Sequence, residues 1–236
     1  MIHSDQHKFE YMWITPARSE LWDGVDMFSK IAYDRLPDVP QFGDDLSWIE
    51  GVYHPFPFIS KMMQTHFSGP SVAKALLKTK EELLLHNLAL PKNFERFASD
   101  PKIYMKLSGY ADYGLIRGNN TYDSDGTSIG YLEDGRIYYP FLDDGQGFVT
   151  WFLLFNSKDD IKVLVSPLEI SPDFMDPEEE FIEQEDVIYH CYVCANSFNE
   201  FIYRFWIEIT FSRSEKFGFP LNKRQLDYKN QIELQS

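Results

Sequence analysis

Ile137-Tyr-Tyr-Pro-Phe-Leu142, Asp143-Asp-Gly-Gln-Gly147, Phe148-Val-Thr-Trp-Phe-Leu-Leu-Phe155, Asn156-Ser-Lys-Asp-Asp160 and Ile161-Lys-Val-Leu-Val-Ser-Pro167 form one continuous stretch. It reads as three antiparallel strands joined by two short turns, because Asp, Asn and Gly are the residues that accept tight turns and positive φ. The middle strand decides the fold. Val149, Trp151, Leu153 and Phe155 alternate to one side, Phe148, Phe152 and Leu154 to the other, and only Thr150 is polar. A strand that is apolar on both faces needs cover on both faces, so this strand is the centre of a sheet, with Trp151 in its core. Pro140 has no N–H for a ladder bond, which places its strand at an edge or Pro140 at a strand start.

Elements on either side supply the cover. Residues 1–70 carry Trp13, Trp22, Phe42, Trp48 and the run Tyr53-His-Pro-Phe-Pro-Phe58, broken by prolines. A helix over Ser19–Arg35 fits the spacing of Leu21, Trp22, Val25, Phe28, Ile31 and Ala32, and the segment as a whole is read as a cover on one face of the sheet. Ser71 caps a helix reaching Leu88, with Val72, Leu76, Leu83 and Leu84 on one side. Pro91 starts a shorter helix that turns Phe94 and Phe97 inward. Short strands follow near Tyr113–Arg117 and Ile129–Leu132, and Val187–Val193 alternates as a further strand. Ser197 and Glu200 have the spacing of a capping box, and Phe198, Phe201, Ile202, Phe205 and Ile209 then recur at helical spacing. That helix is expected on the sheet face opposite the N-terminal cover. Residues 212–236 read as a polar tail. With no glycine- or serine-rich linker, 1–236 is expected to be one domain of α+β class: a mixed, mainly antiparallel central sheet with helices packed on it.

Aromatic residues make up 17% of the 236, which favours a large aromatic core. No apolar run approaches the ~18 residues of a membrane span, and Met1–Glu10 has no apolar signal segment. Cys191 and Cys194 are the only cysteines, so reduced thiols and a cytoplasmic location are expected. The formal net charge of −15 argues against nucleic-acid phosphates as partners and is compatible either with mere solubility or with a basic partner.

Little in the chain points to catalysis. Cys191-Tyr-Val-Cys194 has no second Cys or His pair to complete a zinc site, and alternate pleats would turn the two thiols apart. Asp123-Ser-Asp-Gly126 imitates a calcium loop, but Leu132 stands where the bidentate carboxylate belongs. Gly145-Gln-Gly147 joins strand to strand and has no helix N-terminus behind it. His54, His86 and His190 are scattered. No catalytic residue, metal or cofactor is assigned.

Leu90-Pro91 with Phe94 and Phe97, Tyr139-Pro-Phe-Leu-Asp-Asp-Gly-Gln-Gly147, the strand ending Val165-Ser-Pro167, and Ala195-Asn-Ser-Phe-Asn-Glu-Phe-Ile-Tyr-Arg-Phe205 follow one another in an order that resembles the SUKH superfamily, in its Smi/Knr-type, cell-wall assembly regulator-like branch. The likeness covers residues 71–211, and residues 1–70 are longer and more aromatic than that family's usual start. It implies the same α+β fold and a non-catalytic protein-binding module. Bacterial members are often immunity proteins that neutralise toxins, many of them nucleases; fungal members regulate wall assembly through protein contacts. The alternative is an enzyme or small-ligand-binding protein with an unrecognised site.

The partner surface expected from the residues combines the turn Asp143, Asp144 and Gln146 with the loop 169–186. That loop holds nine acidic residues and no basic one, among them Asp173, Glu178, Glu179 and Glu180, with Phe174 and Phe181 between them. Interleaved acids and aromatics would provide steering and an apolar anchor; in the alternative reading the aromatics pin the loop to the sheet and the acids are simply solvated. The oligomeric state and the partner's identity are not encoded in any feature of the chain.

Overall fold

The computed structural model describes residues 8–16, 29–43, 46–49, 70–100, 103, 114–115, 129–143, 149–166 and 187–235. Its strands are β1 (Met12–Ile14), β2 (Lys30–Ala32), β3 (Gly114–Leu115), β4 (Gly130–Tyr131), β5 (Ile137–Asp143), β6 (Thr150–Phe155), β7 (Ile161–Val165) and β8 (Tyr192–Ala195). Its helices are α1 (Pro70–Leu85), α2 (Lys92–Ser99), α3 (Phe198–Phe217) and α4 (Lys223–Gln235). The fold is α+β.

The main sheet runs β3-β5-β6-β7-β8, with β4 paired to the other end of β5 on the same side as β3. All of these pairings are antiparallel. A parallel bridge from Tyr11 to Val193 lays the start of β1 along β8, where the Val193 N–H donates to the Glu10 carbonyl at 2.7 Å. Every residue of β6 is buried. Its two faces divide as the alternation predicts: Val149, Trp151, Leu153 and Phe155 join the larger apolar cluster, Phe152 and Leu154 the smaller one. Pro140 corrects the edge reading. Its strand lies inside the sheet, and the register between Pro140 and Leu142 shifts, so the proline sits at a bulge, where a missing donor is tolerated. At β4 the sheet needs a glycine: a Cβ on Gly130 would meet the Tyr138 ring at 2.2 Å.

Helix α3 is the centre of the larger cluster. Ser197 caps it, its Oγ accepting from the Glu200 N–H at 3.1 Å. It ends at Gly218, whose left-handed φ of 70° lets its N–H return to the Ser214 carbonyl at 2.7 Å. On the sheet side Phe205 meets Trp151 edge to face at 5.7 Å, and Phe201 meets Phe141 at 5.5 Å. Phe94 of α2 packs against Phe198 and Phe141. The other side of α3 is also covered: Trp48 packs on Tyr203 and Trp206, and Tyr228 of α4 packs on Tyr203. Almost the whole helix from Phe198 to Phe211 is therefore buried, as befits a helix with protein on all sides.

This arrangement corrects five expectations. Residues 30–35 form β2 and a 3-10 turn (Tyr33–Arg35) instead of the end of a helix, because Lys30–Ala32 pairs with β1; residues 17–28 lie outside the described set. The described N-terminal residues Trp13, Ile14, Leu36 and Trp48 share one cluster with α3, so cover and helix occupy the same side of the sheet. The opposite face is closed by Phe9, Leu132, Ile188 and Cys191. Val187–His190 is a 3-10 turn, and the strand begins only at Tyr192. The polar tail is largely helix: α3 continues to Phe217, and α4 buries Gln225, Tyr228 and Ile232. On α1, Leu83 is buried while Leu84 is 71% exposed, so the apolar side is narrower than the spacing suggests.

Candidate functional site

The polar groups that converge do so where α3 begins. The Glu200 carboxylate accepts the Asn196 N–H at 2.8 Å through one oxygen. Its other oxygen accepts the Tyr33 hydroxyl and, at 2.9 Å, Nη2 of Arg204 one turn further on. The capping box is thus modified: Glu200 reaches back to Asn196, one residue before the cap. Asn196 Nδ2 donates to the Tyr33 hydroxyl at 2.7 Å, and Tyr11 donates to Asn196 Oδ1 at 3.2 Å. Lys162 of β7 donates to the Tyr11 hydroxyl. Arg204 Nη1 donates to the Pro37 carbonyl at 2.8 Å and to the Tyr228 hydroxyl at 3.4 Å, tying the segment after β2 to α3 and α4.

Burial, reinforced by Glu200, pushes the Tyr33 phenol well above its usual value, so it stays a hydrogen-bond donor at neutral pH. Burial alone would lower the Arg204 guanidinium; Tyr228 and Glu200 beside it more than offset that, and it is held above its ordinary value. The network locks the N-terminus of α3 to the segment around Tyr33.

Above it opens a cleft of about 680 Å³ between residues 33–42 and the first two turns of α3. Tyr33, Glu200 and Arg204 form its floor, and Asp34, Asp38 and Gln41 stand exposed along it. Phe42 closes one side, stacked on Trp48 at 4.5 Å with the Arg224 guanidinium 5.5 Å from its ring. A smaller cleft of about 350 Å³ lies by Phe9 and Lys162, where Arg136 is held by Asp134 at 2.7 Å and by Asn156 at 3.2 Å.

The residues singled out in the sequence are scattered by comparison. Asp143 ends β5 opposite Thr150 and Gly114. Asp144, Gln146, Asp173, Phe174, Glu178, Glu179, Glu180 and Phe181 lie outside the described residues. Cys191 and Cys194 are buried free thiols on opposite faces of the sheet, each pushed up by burial and each donating weakly to a backbone carbonyl. Among the described residues no group of three or more His, Cys, Asp and Glu gathers in a way that could hold a metal ion. Leu132, at the twelfth position of the imitated calcium loop, is a core residue. His86 follows α1 and pairs with the Tyr131 hydroxyl at 3.0 Å. Among the described residues no helix is long and apolar enough to cross a membrane.

Sequence reasoning found Ser197 and Glu200 but missed Tyr33, Asp34, Asp38, Asn196 and Arg204. One signal was readable: Glu200 and Arg204 stand at i, i+4 in the orientation that favours an ion pair on a helix. Comparison with protein-family models, with curated proteins and with solved structures finds no match to this chain.

Proposed function

We propose that the protein is a non-catalytic protein-binding module, an immunity-protein-like or regulatory adaptor of the SUKH, Smi/Knr-like kind. It acts in the cytoplasm and takes a basic protein partner through an acidic surface, without binding nucleic acid. The observation that carries the reading is the charge of −15 on a chain with an aromatic-rich interior, concentrated in the acid run 169–186. Such a field accelerates encounter with a positively charged partner and repels nucleic acid. The commitment of Glu200, Tyr33 and Arg204 to one another supports binding over turnover, since these groups hold the fold together at the place where polar residues converge.

The test is capture. The tagged protein is expressed in its native cell, bound proteins are identified, and the recovered partner is produced and its association rate measured against ionic strength. The expected result is a discrete basic protein whose association slows as salt rises through ~0.1 M, where the Debye length is ~10 Å. Recovery of no protein beyond those held by an unrelated chain of equal charge would overturn the reading, as would turnover of a small-molecule substrate in the absence of any partner.

A further inference from the structure

The cleft above Arg204 has its own chemistry among the described residues. Its floor is internally satisfied at Glu200, but its wall is not. Asp34 and Asp38 are exposed and make no hydrogen bond or ion pair among the described residues. They stand on an irregular segment that contains Pro37 and Pro40 and is anchored by the bond from Arg204 to the Pro37 carbonyl. Arg204 itself is 3% exposed, and its Nε is a buried donor that no acceptor meets among the described residues. Phe42 closes one side, its ring already stacked on Trp48, packed against Tyr203 and faced by the Arg224 guanidinium.

From this geometry we infer that the cleft between residues 33–42 and the start of α3 binds an extended, arginine-bearing segment of a protein partner. Charge complementarity chooses the occupant. Among the described residues the ionisable lining is Asp34, Asp38 and Glu200 against Arg204, an excess of two negative charges. Arginine side chains match the free carboxylates bidentately. A cleft of about 680 Å³ has room for a few side chains, not for a folded element. The inference rests on the reading of the protein as a binder of a basic partner and names where that partner's arginines go.

The experiment uses the full chain and a fluorescein-labelled, amidated peptide Gly-Arg-Gly-Arg-Gly-Arg, followed by fluorescence anisotropy at low salt. Asp34→Asn with Asp38→Asn is compared with Glu81→Gln with Asp159→Asn, which removes the same charge at exposed positions elsewhere. Both carboxylates of the first pair are exposed, so that variant keeps its fold, checked by its melting temperature. The cleft predicts weakening of about tenfold for the first pair, the loss of two partly screened charge pairs, and less than about twofold for the second. Equal weakening by both pairs would show diffuse attraction to an acidic surface and overturn the cleft. Wild-type affinity no greater than for the same peptide with alanine in place of arginine would overturn it too. Capture with the first variant separates the two ideas: a partner retained at full affinity removes the cleft and leaves the binding module standing, whereas a wild-type chain that captures nothing removes the module.

Discussion

The indole Nε1–H of Trp13 donates a 2.7 Å hydrogen bond to the buried carboxylate of Glu208, 195 positions further along the chain. It fastens β1 to the middle of α3. A buried hydrogen bond is worth about 0.5–1.5 kcal/mol, and leaving its partner unmet costs a further ~1–3 kcal/mol of desolvation, so removing one partner costs more than removing both. Trp13→Phe is therefore expected to lower stability by about 2–3 kcal/mol, and Glu208→Gln, which keeps an acceptor, by about 1 kcal/mol. Denaturant unfolding of both variants checks the order; a phenylalanine variant as stable as wild type would show that this contact does not hold the N-terminal segment.

Trp151→Ala is expected to cost about 3–5 kcal/mol, the range for deleting a large buried aromatic. Trp151 is fully buried against Phe201 and Phe205, so the deletion leaves a void between sheet and helix. A loss below about 1 kcal/mol in urea unfolding would contradict its central place.

Ser197→Ala removes the acceptor of the Glu200 N–H at the start of α3. The expected loss is about 1 kcal/mol, and Ser197→Asp is expected to recover most of it because aspartate is an equally good cap. Thermal melts of the two variants suffice, with equal melting temperatures counting against the cap.

Stability is expected to hold steady to about pH 9 and to fall above it. Burial pushes the Cys191 and Cys194 thiols and the Tyr33 and Tyr228 phenols up, and moves Tyr139 from 10.0 to about 12. Each is a group whose folded value is raised. Its contribution is full below the unfolded value, 9.0 for the thiols and 10.0 for the phenols, and disappears as pH climbs to the folded one. Arg213, lowered by burial to about 10, works the other way above that pH, against these five raised groups and against Tyr138 and Tyr203, which burial also raises. Urea midpoints between pH 7 and 11 read the balance, and a midpoint that rises above pH 9 would reverse the sign. The same burial predicts that both thiols resist a thiol reagent until the chain is unfolded.

Replacing Glu178, Glu179 and Glu180 by Gln is expected to slow association with a captured partner several-fold without moving the melting temperature, because charge at an interface acts mainly on the encounter rate. Unchanged association would leave the acid run with no part in binding.

What the amino-acid pattern determined on its own is everything that depends on neighbours in the chain. The double-sided apolar run of β6, the Asn156–Asp160 turn between β6 and β7, the inward pair Phe94 and Phe97, and the Ser197–Glu200 cap all follow from periods of two or 3.6 and from short-range hydrogen bonds. Tertiary structure decided the rest. Lys30–Ala32 became a strand because Met12–Ile14 lies alongside to accept its bonds, overriding a helical spacing. Residues 223–235, polar by composition, became a helix because Tyr228 and Ile232 found the far side of α3. The cleft joins Asp34 and Asp38 to Glu200 and Arg204 across more than 160 positions, and the bond from Tyr33 to Glu200 crosses 167. No local period encodes such a pairing. It exists only once burial of α3 on all sides makes each polar group at its end find a partner, since an unmet buried donor or acceptor costs as much as a good contact returns.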